Sequence, residues 1–375
     1  MLSNDRRAQI LRELKRHGSF NVTEFAARVG ISGMTIRRDL ESLEGQGALQ
    51  RVHGGAIPVP ASQRPDVIGQ GRQAGSMQVP AVQRVRMPVR TIGMVMPSAS
   101  YYFPSVIRGA EEAARDLGAR IVLAVSNYSQ AEEERQIQRL LANGVDGLIV
   151  TPSRESLSGT RTLELLAAAE IPIVIAERPI DDVLDEVQLE SVRSDHSRGA
   201  EIAVNHLLDL GHTKIGLCVR ETSPTTTRVR IGYRQALDRA GVSRTESMEQ
   251  FMTLEQEAPG GLHAYFEDRV DWVVSSGFTA LLVLNDEDAL ALVDSCQARG
   301  LSVPGDIAIV AYDDEVASMG AVPLTAVSPP KHDVGYQALQ MCLSRIESAP
   351  AKAPAMKQVT LSPRLVVRES SAPLG

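Results

Sequence analysis

The chain has 375 residues, 39 basic and 46 acidic side chains, a formal net charge of −7 and an apolar fraction of 43%. That length and composition predict a globular protein of more than one domain, and no apolar run is long enough to span a bilayer. Three cysteines (Cys218, Cys296, Cys342), odd in number and far apart in apolar contexts, fit buried thiols of a reducing cytoplasm and argue against a disulfide frame or a metal site. The opening MLSNDRRAQIL has no apolar signal-peptide core, which adds to the expectation of a cytoplasmic protein without membrane contact.

Taken in chain order, Arg6 to Lys15 reads as a helix with Ile10, Leu11 and Leu14 on one side. Asn21 and Glu24 make a capping box for a second helix, which Gly30 ends. Ser32 can cap a third, in which Ile36, Leu40 and Leu43 recur at i, i+4 and i+7 as one apolar stripe. Thr35, Arg37 and Arg38 fall off that stripe and face outward near the helix N-terminus. After Gly45 and Gly47 the period changes to two: Ala48 to Val52 reads as a strand carrying Arg51, followed by His53 and a Gly54-Gly55 turn. TIRRDL alone fits an ordinary amphipathic helix with a solvated basic face equally well. The short Gly-containing turn before it supplies helix–turn–helix spacing, and a basic β-wing after it can grip phosphates. Residues 1–90 carry 14 basic and 7 acidic side chains, so +7, and the remaining 25 basic and 39 acidic side chains give the body −14. A basic head on an acidic body suits a protein that meets nucleic acid at one end.

The stretch from about Asp5 to Pro58, closing in RVHGGAIP, strongly resembles the DeoR-type winged helix. The resemblance implies a DNA-binding domain over residues 1–57, with Ser32, Met34, Thr35, Arg37, Arg38, Arg51, His53 and Gly54 as its contacts to a double-stranded operator. Residues 58–90 hold scattered Pro, Gly, Gln and Ser without an apolar period and read as an extended linker. Its arginines (Arg64, Arg72, Arg84, Arg86, Arg90) are incidental charge on a soluble spacer or skim the DNA backbone.

From Thr91 the pattern is α/β. Apolar strands TIGMVMP, ARIVLAVS, DGLIVTP and IPIVIAE alternate with helical stretches at Pro104–Leu117, Ala131–Asn143 and Ser156–Ala169. After Ser194 the alternation restarts: helix Arg198–Leu210, strand KIGLCV, helix Val229–Ala240, strand ALLVLND, helix Glu287–Arg299, strand DIAIVAYDD and a helix over about His332–Ile346. Continuous apolar strands joined by helices imply parallel sheets covered on both faces, here two doubly wound lobes with room for a ligand at the strand ends between them.

Residues 91–375, through YYFPSVIRGAEEAARDLG, GVDGLIVTPS, SDHSRGAEIAVNHLLDLGHTKIG and LNDEDALALVDSCQARGLSVPGDIAIVAYDD, resemble the sensor domain of LacI/GalR-type repressors. That family shares the periplasmic-binding-protein type I fold. The resemblance places ring-stacking aromatics at Tyr102 and Phe103, an acid–arginine pair at Glu177 and Arg178, and further effector contacts at Asn285 and Asp313. The family's Asp is replaced by the longer Glu177. Where the family has a ligand arginine this chain has Val229, flanked by Arg228 and Arg230, and either could serve. The family's glutamine after the PLT strand falls near Pro329. Asp286 and Asp314 read as structural, Trp272 as packing, and His196 and His212 as capping or solvated residues near helix ends.

No Ser/His/Asp set, phosphate-cradling loop or paired-carboxylate spacing stands out, so neither catalysis nor a cofactor is expected. The expected function is a homodimeric transcription regulator, a repressor of a carbohydrate uptake or catabolism operon, whose DNA affinity follows a sugar bound between two lobes. The alternatives are an activator, a regulator answering to a non-sugar such as a nucleoside, or a transport-type binding protein.

Overall fold

The computed structural model describes residues 7, 10, 14, 20–22, 25–26, 31–45, 49–52, 55–57, 89–258, 261–348 and 355–373. The chain divides into two compact units, Met1–Arg84 and Val85–Gly375. The expected linker lies outside the described residues except for Val89 and Arg90.

In the first unit, helix α1 spans Gly33–Gly45. Ser32 caps it as expected: its Oγ accepts the Thr35 amide at 3.3 Å. Ile36, Leu40 and Leu43 are buried against Ile10, Leu14, Phe20, Val22, Phe25 and Leu49. This is the apolar stripe of the helix meeting the helices before it, with Ile10, Leu14, Val22 and Phe25 themselves helical. Strands β1 (Phe20–Asn21), β2 (Gln50–Val52) and β3 (Gly55–Ile57) form an antiparallel sheet in the order β1-β3-β2, with Arg51 opposite Ala56. The first and third of these strands were not expected. Two-residue β1 and three-residue β3 are too short for a visible alternation.

The second unit holds two lobes. The first is a wholly parallel sheet of β4 (Thr91–Met96), β5 (Arg120–Val125), β6 (Gly147–Val150), β7 (Ile173–Ala176), β8 (Glu190–Ser194) and β14 (Gln358–Leu361), in the order β14-β8-β7-β6-β4-β5. Helices α2 (Phe103–Leu117), α3 (Gln130–Ala142), α4 (Arg161–Ala167) and α9 (Lys331–Glu347) belong to it. The second lobe orders β9 (Ile215–Arg220), β10 (Glu249–Met252), β11 (Ala280–Val283), β12 (Ala308–Tyr312), β13 (Thr325–Ser328) and β15 (Arg364–Val366) as β10-β9-β11-β12-β13-β15. Only β15 is antiparallel to its neighbour. Its helices are α5 (His196–Asp209), α6 (Thr226–Arg239), α7 (Leu262–Ser276) and α8 (Asp286–Ala298). The chain crosses between lobes three times, after β8, after β13 and between β14 and β15.

Apolar strands β6, β7, β11 and β12 are buried along their whole length, as a sheet covered on both faces requires. Strand β8 was not expected, because ESVRS has no apolar run. Its Glu190 is nonetheless buried, held by Arg345 of α9 at 2.9 Å and by the Lys357 amide at 3.1 Å. Close approach of α2 and α9 depends on two glycines. A Cβ on Gly109 would stand 1.9 Å from the His332 carbonyl oxygen, and one on Gly335 would stand 1.8 Å from that of Val106. Among the described residues no helix is long and apolar enough to cross a membrane. All three cysteines are buried and unpaired.

Candidate functional site

At the N-terminal end of α1, Ser32, Met34 and Arg38 of the expected contact residues are exposed. Met34, an apolar side chain, is 64% exposed, and Arg38 is exposed as well. Thr35 is half-buried and shares a 2.9 Å hydrogen bond with the Ser32 hydroxyl. Arg37 and Arg51 are described only by their backbones, in α1 and β2, and His53 and Gly54 lie outside the described residues. From the buried side, Asp39 pairs with Arg7 at 3.0 Å and ties α1 to the first helical stretch of the chain. A capped helix whose first turn is exposed is free to enter a major groove.

In the second unit a cleft of about 620 Å³ opens between the lobes at the carboxyl ends of both sets of strands. Six of the expected effector residues line it: Tyr102, Phe103, Glu177, Arg178, Asn285 and Asp313. They arrive there after β4, β7, β11 and β12, so the strand-end rule for α/β sheets accounts for the convergence. Four lining residues that are not glycine, Tyr101, Tyr128, Glu177 and Asp313, have left-handed backbones, with φ of 54°, 56°, 58° and 96°. Such conformations cost roughly 1–3 kcal/mol each and persist where surrounding structure imposes them, commonly at binding sites.

Arg178 is only 5% exposed. Its Nε donates to the Pro152 carbonyl at 3.0 Å and its Nη1 to the Glu177 carbonyl at 2.9 Å, yet it makes no ion pair among the described residues. Burial pushes its pKa below the ordinary arginine value. Glu177 does not offer a free carboxylate. Its oxygens accept the Tyr102 hydroxyl at 2.8 Å, the Ser194 hydroxyl at 2.9 Å and the Ser194 amide at 3.0 Å. It fixes Tyr102 instead of reaching into the cleft. The Phe103 ring is buried and packs edge-on against Tyr102 at 5.4 Å, so Tyr102 presents the accessible face. Asn285 caps α8 through Oδ1, which accepts the Asp288 amide at 3.1 Å, and its amide nitrogen makes no bond among the described residues. The Asp313 carboxyl is pushed up to about 7, chiefly by burial, with the Lys331 charge opposing the shift.

Neither Arg228 nor Arg230 lines that cleft; Arg230 lines an adjoining pocket of about 520 Å³ that shares Ser153, Thr222, Ser223 and Pro224 with it. Between them Val229 is fully buried in the second lobe's core, and successive residues of a helix point about 100° apart, so both arginines are turned aside. Arg228 pairs with Asp181 at 2.6 Å. Arg230 pairs with Glu249 at 2.7 Å and stacks over Phe251 at 4.7 Å. Packing decides the phase of α6 here, and it removes the choice left open by the sequence. The cationic residue at this side of the cleft is Arg220, the last residue of β9, held by both oxygens of Asp288 at 2.6 and 2.7 Å. Its strand-end position was a usable signal.

His196 opens α5 at its N-terminal end, as expected, but is neither a cap nor solvated: it is a buried wall of the cleft, 6% exposed. Its Nδ1 lies 3.2 Å from the Tyr312 hydroxyl and its Nε2 3.8 Å from Glu177, and burial pushes its pKa down to about 4. His212 is also buried, between the Thr279 hydroxyl at 3.0 Å and the Ala372 carbonyl at 2.9 Å. Asp286, Asp314 and Trp272 have structural partners, as read. Three backbone amides meet Asp286, Arg368 meets Asp314 at 2.7 Å, and the Trp272 ring packs on Phe278 at 4.5 Å. No group of three metal-ligating side chains is assembled among the described residues.

Residues 6–60 match the model of the DeoR-like helix-turn-helix domain, and residues 204–371 that of the periplasmic binding protein-like domain. The HTH-type transcriptional regulator DegA of Bacillus subtilis (strain 168) is 31% identical over 288 residues, 76% of this chain and 81% of that protein. The arabinose metabolism transcriptional repressor of Geobacillus stearothermophilus is 29% identical over 355 residues, 93% of this chain and 90% of that one. The structure of the transcriptional regulator CelR–cellobiose complex superposes with a TM-score of 0.63 at 26% identity, covering 76% of this chain and 86% of that one. With the winged head and the two-lobed cleft described above, these matches show that the chain belongs to the family of transcriptional regulators with a LacI/GalR-type, periplasmic-binding-protein-like sensor domain, here preceded by a DeoR-type helix-turn-helix.

Proposed function

We propose that this regulator is a repressor of a carbohydrate uptake or catabolism operon and that a neutral sugar bound in the cleft sets its affinity for the operator. The observation that carries this reading is Arg178, a buried guanidinium in the cleft wall without an ion pair among the described residues. Its neighbours in the cleft supply what a sugar needs: the Asp313 carboxylate and the Asn285 amide for hydroxyls, and the Tyr102 ring for a C–H face. Charge favours a neutral ligand over a sugar phosphate. Glu177, Glu257, Glu287 and Asp313 line the cleft against two arginines, and Arg220 is already held by Asp288 and Glu257. The similar proteins named for arabinose metabolism and for cellobiose support the carbohydrate class.

On this reading residues 1–57 bind DNA, 58–90 connect, and 91–375 sense. Ser32, Met34, Thr35, Arg37, Arg38, Arg51, His53 and Gly54 contact the operator. The protein works in the cytoplasm as a homodimer on a two-fold related or repeated site, because one winged helix buries little surface on DNA. It turns over no substrate.

A thermal-shift screen of the full chain against neutral sugars, polyols, sugar acids, sugar phosphates and nucleosides tests the ligand class. Stabilisation by a neutral sugar, with a matching change in operator binding by gel shift, is the expected result. Stabilisation by a nucleoside or a sugar phosphate alone overturns it. A monomeric mass by light scattering, with and without operator, overturns the dimer.

A further inference from the structure

We propose that Tyr101 is a positioning residue that fastens the two lobes together before any effector arrives, with Arg228 as a weaker second fastening. The geometry stands by itself. Its regulatory meaning rests on the reading that the effector binds between the lobes.

Tyr101 lies in the loop after β4, on the first lobe. Its hydroxyl donates to Oδ1 of Asp286 and lies 3.3 Å from Oδ2 of Asp313. Both carboxylates belong to the second lobe, after β11 and β12. Tyr102, by contrast, spends its hydroxyl within the first lobe, on Glu177 and Ser194. Asp286 cannot follow if the lobes separate. It is fully buried, and its Oδ2 accepts the backbone amides of Glu315, Val316 and Ala317 at 2.6, 2.6 and 2.9 Å. Opening therefore breaks the Tyr101 bond and strips a buried carboxylate oxygen of its donor, which is the unfavourable case for a hydrogen bond. The left-handed backbone of Tyr101, at φ 54°, is uncommon for a bulky residue and is consistent with a ring held from its far end.

Besides the contacts of Lys331 with the Asp313 carbonyl and with Glu315 at the crossover itself, two more side-chain bonds join the lobes among the described residues. The Thr227 hydroxyl donates to Glu155 at 2.9 Å, and Arg228 donates to Asp181 at 2.6 Å. Asp181 is half exposed, so water and salt screen that pair, whereas the Tyr101 bond is shielded. A protein whose lobes are already approximated binds a cleft ligand more tightly, since apparent affinity scales with the fraction in the competent state.

Spin labels at Glu164→Cys and Asp271→Cys, exposed sites on the two lobes, report the lobe separation in the ligand-free full chain, while the buried native cysteines stay unlabelled. The wild type should give one compact distance distribution at low and high salt. Tyr101→Phe, which keeps the ring and loses only the hydroxyl, should raise the separated population about tenfold at either salt. Tyr101→Ala should do the same, with circular dichroism confirming the fold of each variant. Arg228→Gln should raise it less, and at low salt only. A Tyr101→Phe distribution identical to the wild type, or a wild type already broadly open, overturns the proposal. Titrating the same samples with arabinose and cellobiose separates the two readings. An unfastened Tyr101→Phe that still closes on a sugar retains both. A distribution that answers to Tyr101 but to no sugar upholds the fastening and counts against the carbohydrate site.

Discussion

The Lys331 ammonium donates to the backbone carbonyl of Asp313 and takes its carboxylate partner from Glu315, at 2.5 Å, not from Asp313 itself. The same nitrogen lies 4.9 Å from the centre of the Tyr102 ring. One buried cation, at the second crossover between lobes, thus holds the backbone under one cleft residue and the face of another. The Asp313 carboxylate keeps its acceptor capacity for whatever enters.

Removing that capacity should separate sensing from DNA binding. Asp313→Ala leaves ligand hydroxyls unpaired and should cost about 1–3 kcal/mol of effector affinity. Operator binding without effector should be unchanged, because the head is a separate unit. Calorimetry with the sugar that emerges from the screen, paired with an operator titration, checks both halves. Equal effector affinity in mutant and wild type removes Asp313 from the site.

Two buried groups should tilt stability in opposite directions with pH. The Asp313 carboxyl is raised by burial from its ordinary 3.8 to about 7. The folded state holds this proton where the unfolded chain has lost it, so its contribution is present below about 4 and is lost as pH rises to about 7. His196 is lowered from 6.5 to about 4, so the unfolded state binds the extra proton and stability grows as pH rises across that window. Relative to wild type, the melting temperature of Asp313→Asn should rise with pH between about 4.5 and 6.5, and that of His196→Gln should fall. A curve for Asp313→Asn that does not rise contradicts the first assignment, and one for His196→Gln that does not fall contradicts the second.

At the DNA end, an arginine that reads a guanine edge is worth about 1–3 kcal/mol and sets preference at one base pair. One that meets only phosphate weakens all sequences alike and flattens the salt dependence. Arg37→Ala combined with Arg38→Ala should therefore abolish selective operator binding in a gel shift. Retained selectivity would show that α1 is not the reader.

The α2–α9 contact gives a stability test away from either site. In Gly335→Ala the new methyl would meet the Val106 carbonyl oxygen, which is backbone and cannot swing aside. Overpacking of this kind costs about 1–3 kcal/mol, and more where backbone must shift. The melting temperature should drop by several degrees with operator binding intact at low temperature. An unchanged melting temperature would mean that the two helices are free to part.

Much of this protein was written into local patterns. The stripe Ile36, Leu40, Leu43 and the cap at Ser32 specify α1, because both depend on neighbours within two turns. The apolar runs of β4, β6, β7, β11 and β12 specify two parallel sheets, and the positions just after them already named Tyr102, Arg178, Asn285 and Asp313. Other features depended on partners far away in sequence. Strand β8 is charged, and Arg345, 155 positions on, with the Lys357 amide, makes Glu190 tolerable inside a sheet. The fate of Arg228 and Arg230 followed from the burial of Val229, which a helix's sequence cannot phase when residues on either side are equally polar. His196 looked solvated until β12 brought Tyr312 to it, and Tyr101 gained its role only when the second lobe placed Asp286 within reach. Periodicity is a property of a segment. Burial of a polar group, and the direction it then faces, is a property of what packs over it, and that was decided by the tertiary structure.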